Sequence, residues 1–169
     1  MPQPPDTVRM IRMRELQVVN AVELAAAYAA ADYCVLLDGE TLPLRVGQRA
    51  ADLEAYWPAR CYLFITAWNP ASEPRSDTAN ATADALLVGR LDETGAPRHA
   101  AWAEGPGGDW REPGWLLADL QPDHCVRLAQ EFGQAGVLAW ERGQPVRLRM
   151  LVARPANAAA SSCIDWAND

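Results

Sequence analysis

Cys61-Tyr62-Leu63-Phe64-Ile65-Thr66-Ala67-Trp68-Asn69-Pro70-Ala71-Ser72 decides how this chain folds. Arg60 to Trp68 is the most apolar stretch of the sequence and reads as a central, buried strand. It runs into a polar turn with two prolines, Pro70 to Arg75. Ser76 or Asp77 then caps a helix that continues to about Glu93, with Gly95 as its stop. Arg98 to Ala103 alternates as a half-exposed strand does, and Glu104 to Gly114 is a charged Gly/Pro-rich loop. Trp115 to Leu120 is a second strongly apolar strand. Pro122 opens a helix whose core stripe is Cys125, Leu128, Ala129 and Phe132, ended by Gly133. Gly136 to Glu141 and Pro145 to Val152 read as two strands joined through Arg142-Gly143.

From about residue 60 to 141 the order is therefore strand, helix, strand, strand, helix, strand. That is the ferredoxin-like split βαββαβ pattern, an α+β antiparallel sandwich whose first and third strands are central. The ranking of apolarity agrees, since 61–68 and 115–120 are the most apolar strands. Upstream, Glu15 to Ala31 has helical spacing and covers the open face of the sheet; two short strands and a short helix, Ala50 to Trp57, follow. Pro43 marks the second short strand as an edge. The 145–152 strand extends the other edge. A three-layer α/β fold with a mixed sheet is the alternative. Residues 15–152 form one globular domain, with a flexible lead over 1–14 and a loose tail over 153–169 in which Ile164 and Trp166 can dock.

Composition excludes several functions. The chain has 169 residues, half of them apolar, and a net charge of −7. The acidic balance argues against nucleic acid and against anionic membrane surfaces. All fifteen basic residues are Arg, which removes Schiff-base chemistry and the phosphate-loop lysine. No apolar run is long enough to span a membrane, and the first residues carry no secretion pattern, so a cytoplasmic setting is expected. Cys34, Cys61, Cys125 and Cys163 lack metal or disulfide spacing, so no metal site is expected, and no cofactor.

The topology brings three polar segments to one end of the sheet: Trp68 to Ser72, the 104–114 loop and Phe132-Gly133-Gln134. Asn80 shares a helical stripe with Leu87 and Leu91, so its side chain leans inward beside the end of the central strand. An inward Asn must find partners, and Asn69 and Ser72 are the nearest. The reading is a domain that binds a small polar ligand or peptide there. Asn69, Ser72, Asn80, Glu112 and Gln134 supply hydrogen bonds, and Trp68 and Trp115 supply apolar walls. The same residues serve equally as a structural clasp of turn and helix. An enzyme of undefined class using Glu112 or Asp109, with no catalytic residue assigned, is one alternative. A protein–protein interaction module pairing through the 145–152 edge is the other.

The motifs are familiar as an ordered set. Ile65-Thr66-Ala67-Trp68-Asn69-Pro70-x-Ser72, Asn80 with Leu86, Glu112-Pro113-Gly114-Trp115-Leu116-Leu117 and Leu128-Ala129-x-x-Phe132-Gly133-Gln134 together resemble the bacterial domain of unknown function 3293 family. Leu44-Arg45-Val46-Gly47-Gln48 fits it too, so the resemblance runs from about Ala25 to Val152. Ala135 stands where the family pattern has Asn. The resemblance implies no activity, cofactor or catalytic residue.

Overall fold

Alternation along one strand sets the two faces of the structure, a computed structural model describing residues 21–169. The 1–14 lead and the first turns of the helix read from Glu15 lie outside the described residues. In order, the elements are α1 (Ala21–Ala30), β1 (Asp32–Leu37), β2 (Glu40–Leu44), α2 (Ala51–Tyr56), β3 (Cys61–Ile65), a 3-10 turn (Pro70–Ser72), α3 (Asp77–Thr94), β4 (Arg98–Glu104), β5 (Arg111–Ala118), α4 (Pro122–Glu131), β6 (Gly136–Glu141), β7 (Arg147–Met150) and β8 (Ile164–Asp165). Leu63 and Ile65 of β3 pack with Leu87 and Leu91 of α3 and Leu128 of α4. Tyr62 and Phe64 point the other way, into a core with Ala21 and Ala25 of α1 and Leu53 of α2. The helix α1 thus covers the sheet face that α3 and α4 leave open, as the topology suggested.

The sheet has eight strands in the order β2-β1-β4-β5-β3-β6-β7-β8. Its middle four, β4-β5-β3-β6, are antiparallel throughout and stand in the order that a split βαββαβ unit requires. β3 and β5 lie at the centre, and β2, with Pro43, lies at an edge. The fold is α+β with a mostly antiparallel sheet; among the described strands β7 and β8 pair in parallel, and an isolated Val46–Val146 bridge is parallel too. β7 extends the sheet beyond β6, yet it does not end it: β8 pairs with its far side, and Trp166 beyond is buried. The edge expected over 145–152 is therefore covered by the chain's own tail.

The longest helix, α3, begins and ends where its capping residues stand. Ser76 accepts a hydrogen bond from Ala79 N at 3.1 Å, and Gly95 takes the left-handed conformation that closes α3. Ser76→Ala is expected to cost about 1 kcal/mol. Urea unfolding should show a lower midpoint with an unchanged slope.

Two boundaries differ from the sequence expectation. β4 continues to Glu104 and β5 starts at Arg111, so the 104–114 loop contracts to residues 105–110 and Glu112 sits on a strand. Cross-strand contacts cause this: Glu104 pairs with Arg111 in register, and the Arg111 guanidinium stacks 4.2 Å from the Trp102 ring. β3 stops at Ile65 rather than Trp68. Its next rungs would face Pro113, which has no N–H to give. The Thr66 hydroxyl instead donates to Pro113 O at 2.7 Å and accepts from Trp68 N at 3.0 Å. The Pro113 carbonyl thus points toward β3, so the missing N–H leaves the β4–β5 ladder intact.

Candidate functional site

Where β3 ends, the chain makes a left-handed turn at Asn69, with φ 41°. Asn is among the few side chains that tolerate this, because its short amide bonds locally. Here both ends of the amide are used. Asn69 Oδ1 accepts from Arg75 N at 2.9 Å and from Asn80 Nδ2 at 2.9 Å. Asn69 Nδ2 donates to Glu112 Oε1 at 2.8 Å. Asn80 answers from the first turns of α3: its Oδ1 accepts from Asn69 N at 3.0 Å, and its Nδ2 also donates to Arg75 O at 3.3 Å. Gln134, just past α4, donates from Nε2 to Trp68 O at 3.2 Å. Ser72 shares a 2.7 Å hydrogen bond with the Tyr28 hydroxyl.

The three segments expected to converge do converge. Hydrogen bonds join Asn69 to Asn80 and Glu112 through side chains and to Ser72 through the latter's backbone N–H, while Gln134 holds the carbonyl of Trp68, the residue before Asn69. Trp115 is elsewhere. It lies an odd number of residues from Glu112 on β5, so the two face opposite sides of the sheet. Its indole N–H donates to Asp84 Oδ1 of α3 at 3.0 Å. Asp109 is exposed in the contracted loop. His99 packs edge-on against Trp57, 4.5 Å between centroids, on a strand remote from the turn.

Residues 65–137 match a family model described as a protein of unknown function, DUF3293. Over that stretch, less than half of the chain, the protein is similar to that family. No curated protein and no solved structure matches the chain. The DUF3293 segment is shorter than the span read from the motifs, yet it contains all of Trp68, Asn69, Ser72, Asn80, Glu112 and Gln134. Tyr28 lies outside it.

Behind this clasp lies a small cavity of about 40 Å³, on the α1 side of the sheet. Tyr28, Tyr33, Thr66, Glu112 and Gln134 supply its polar lining, and Phe64 part of its apolar lining. Trp110, 40% exposed, stands at its mouth. Glu112 is held above the usual carboxylate range by burial, and the Asn69 bond offsets this in part. Burial likewise raises the Tyr28 and Tyr33 hydroxyls. Glu112 Oε2 and Gln134 Oε1 have no hydrogen-bond partner among the described residues, and no Arg there lies within ion-pair distance of Glu112. The arrangement presents acceptors at the edge of an aromatic recess. Tyr28 escaped the sequence reading because it sits in an Ala-rich helix; its one signal is that it is the sole phenol in that run.

Proposed function

We propose that this domain binds a small polar ligand, or the end of a peptide, at the end of the sheet, with a cationic donor group entering between Glu112 and Gln134. The supporting observation is Glu112: a half-buried carboxylate with one oxygen fixed by Asn69 and the other facing a recess without a cation. A cavity of about 40 Å³ takes a group of water or ammonium size, not a whole metabolite. The rest of the ligand lies against Trp110 at the mouth. Asn80 then acts as support, since its amide bonds all close on the turn. Ligand contact falls to Glu112, Gln134 and Tyr28.

The pH dependence follows from Glu112. Burial raises its carboxyl in the folded protein, so folding favours the protonated form relative to the unfolded chain. That contribution is full below the ordinary value of 4.5 and is lost as pH rises through the folded value. Relative to Glu112→Gln, the unliganded wild type should lose stability on going from acid to neutral pH. A cation reverses this by pairing with the ionised form. Methylammonium and glycinamide should raise the wild-type melting temperature, increasingly as Glu112 ionises, and leave Glu112→Gln unmoved; acetamide serves as the neutral control. A wild-type melting temperature that ignores both cations across this pH range would rule the reading out.

A second reading, acid–base catalysis, rests on the same carboxyl: burial at the edge of the recess raises it, which makes it a more ready general base once ionised. It assigns the chemistry to Glu112 rather than Asp109. Under it Glu112→Gln keeps ligand affinity and loses turnover; under the binding reading it loses affinity first.

A further inference from the structure

On the opposite face of the sheet, at the other end of β3, β6 and β7 extend past the cover of α4. They leave a groove of about 800 Å³, within the size range of small-molecule sites. Strand register builds its floor. Leu63 pairs with Ala139 and Ala139 with Arg147, while Val137 pairs with Arg149. Residues two apart share a face, so an apolar row of Leu63, Val137 and Ala139 runs beside a basic row on β7.

The arginines differ in what they already hold. Arg147 donates from Nε and Nη2 to the Asp165 carboxylate at 2.8 and 2.6 Å, and from Nη1 to Ser162 O at 2.6 Å. Arg60 lies 3.8 Å from Asp119. Arg149 stands beside Asp165 in the β7–β8 register, but that carboxylate is taken by the Arg147 fork, and no ion pair or side-chain hydrogen bond engages Arg149 among the described residues. A half-buried guanidinium with its donors unspent, at the margin of an apolar floor, matches a planar bidentate acceptor. Glu141 closes the far end on the same face. It is four residues beyond Val137, roughly 13 Å at about 3.3 Å per residue. With Asp119 and Asp165 it places three carboxylates around the groove, and these disfavour a multiply charged anion such as a phosphate ester.

We propose that this groove binds a singly charged organic acid: a carboxylate seated on Arg149, with an apolar body of about eight carbons lying over Ala139 and against Val126 and Pro122 of α4, since Leu63 and Val137 beneath are already buried. The site lies on the opposite face of the sheet from Glu112, with Val137 the residue that borders both.

Cys61 lines the groove half-buried, whereas Cys34 lies on β1, away from it. Alkylation of the folded full-length chain by iodoacetamide, read by mass spectrometry at each cysteine, therefore reports occupancy with an internal control. Octanoate is expected to slow labelling of Cys61 saturably and to leave Cys34 unchanged. Octanamide, the neutral isostere, should need about tenfold more for the same protection, the scale of one modest charge contact. Arg149→Met should abolish that preference, and Arg149→Lys, which keeps the charge and loses the fork, should retain part of it. Equal protection by octanoate and octanamide, undiminished octanoate preference in Arg149→Met, or no saturable protection would each overturn the proposal. Octyl phosphate protecting as well as octanoate would overturn its single-charge requirement.

Discussion

Asn80→Ala is expected to destabilise the fold by about 2–4 kcal/mol, the cost of stranding two or more buried polar groups. Asn80 is 1% exposed. Its amide accepts from Asn69 N and donates to Asn69 Oδ1 and Arg75 O. Truncation leaves the Asn69 N–H without its acceptor and weakens the hold on the Asn69 side chain, which fixes Glu112 in turn. The melting temperature should fall by roughly 2–4 °C for each kcal/mol in a domain of this size. Asn80→Asp keeps the Oδ1 acceptor, at a helix N-terminus that favours negative charge, but sets a carboxylate against Asn69 Oδ1. It should lie between wild type and Asn80→Ala. The Asn69→Ala, Asn80→Ala cycle should show strong coupling, in the 0.5–3 kcal/mol range typical of residues in one network. If Asn80→Ala unfolds at the wild-type urea midpoint yet loses binding of the cationic probes, Asn80 is a ligand contact and the clasp assignment is wrong.

The clasp was legible in the sequence for a definite reason. A polar residue at helical spacing from Leu87 and Leu91 must turn inward with them, and both leucines are fully buried. The position of Asn80 near the start of α3 then left few partners other than the turn before it. Ser76, Gly95, Pro122 and Gly133 likewise carry their meaning locally, so the helix limits could be read directly. The strand order followed from the βαββαβ succession of elements, and apolarity agreed with it, because central strands are buried on both faces and edge strands are not.

What escaped depends on contacts between distant segments. Nothing local in Glu104 to Gly114 says that Arg111 stacks on Trp102 across a hairpin, and the Gly/Pro content there argues for a loop. Once Arg111–Ala118 is seen as a strand, Trp115 cannot share a face with Glu112, so the misplacement of Trp115 is a consequence of the missed strand. The groove needed more. Arg147 and Arg149 alternate with buried Leu148 and Met150, which signals an outward basic row, but only the return of the tail as β8 shows which arginine is already paired.

Gly114→Ala is expected to destabilise by about 3 kcal/mol, the upper end for overpacking. A Cβ at Gly114 would stand 2.7 Å from Ile65 O and 3.0 and 3.1 Å from Phe64 Cζ and Cε2. The carbonyl is backbone of the neighbouring central strand and cannot swing aside, so β3 and β5 must part, and the Phe64 ring must shift as well. Phe64 packs edge-on against Tyr33, 5.3 Å between centroids, and both line the recess beside Glu112, so the strain passes to the candidate site. The smaller entropy of the unfolded Ala chain offsets only about 0.4–1 kcal/mol. Gly89→Ala is the matched control. It is an exposed position within α3, where an added Cβ meets nothing within 4 Å, and it should stabilise by roughly 0.5–1 kcal/mol. Urea unfolding of both variants separates close approach from glycine's general flexibility: opposite signs are required. A Gly114→Ala variant as stable as Gly89→Ala would mean that β3 and β5 separate at this rung without cost, and that the Glu112-Pro113-Gly114-Trp115 motif does not hold the end of the sheet.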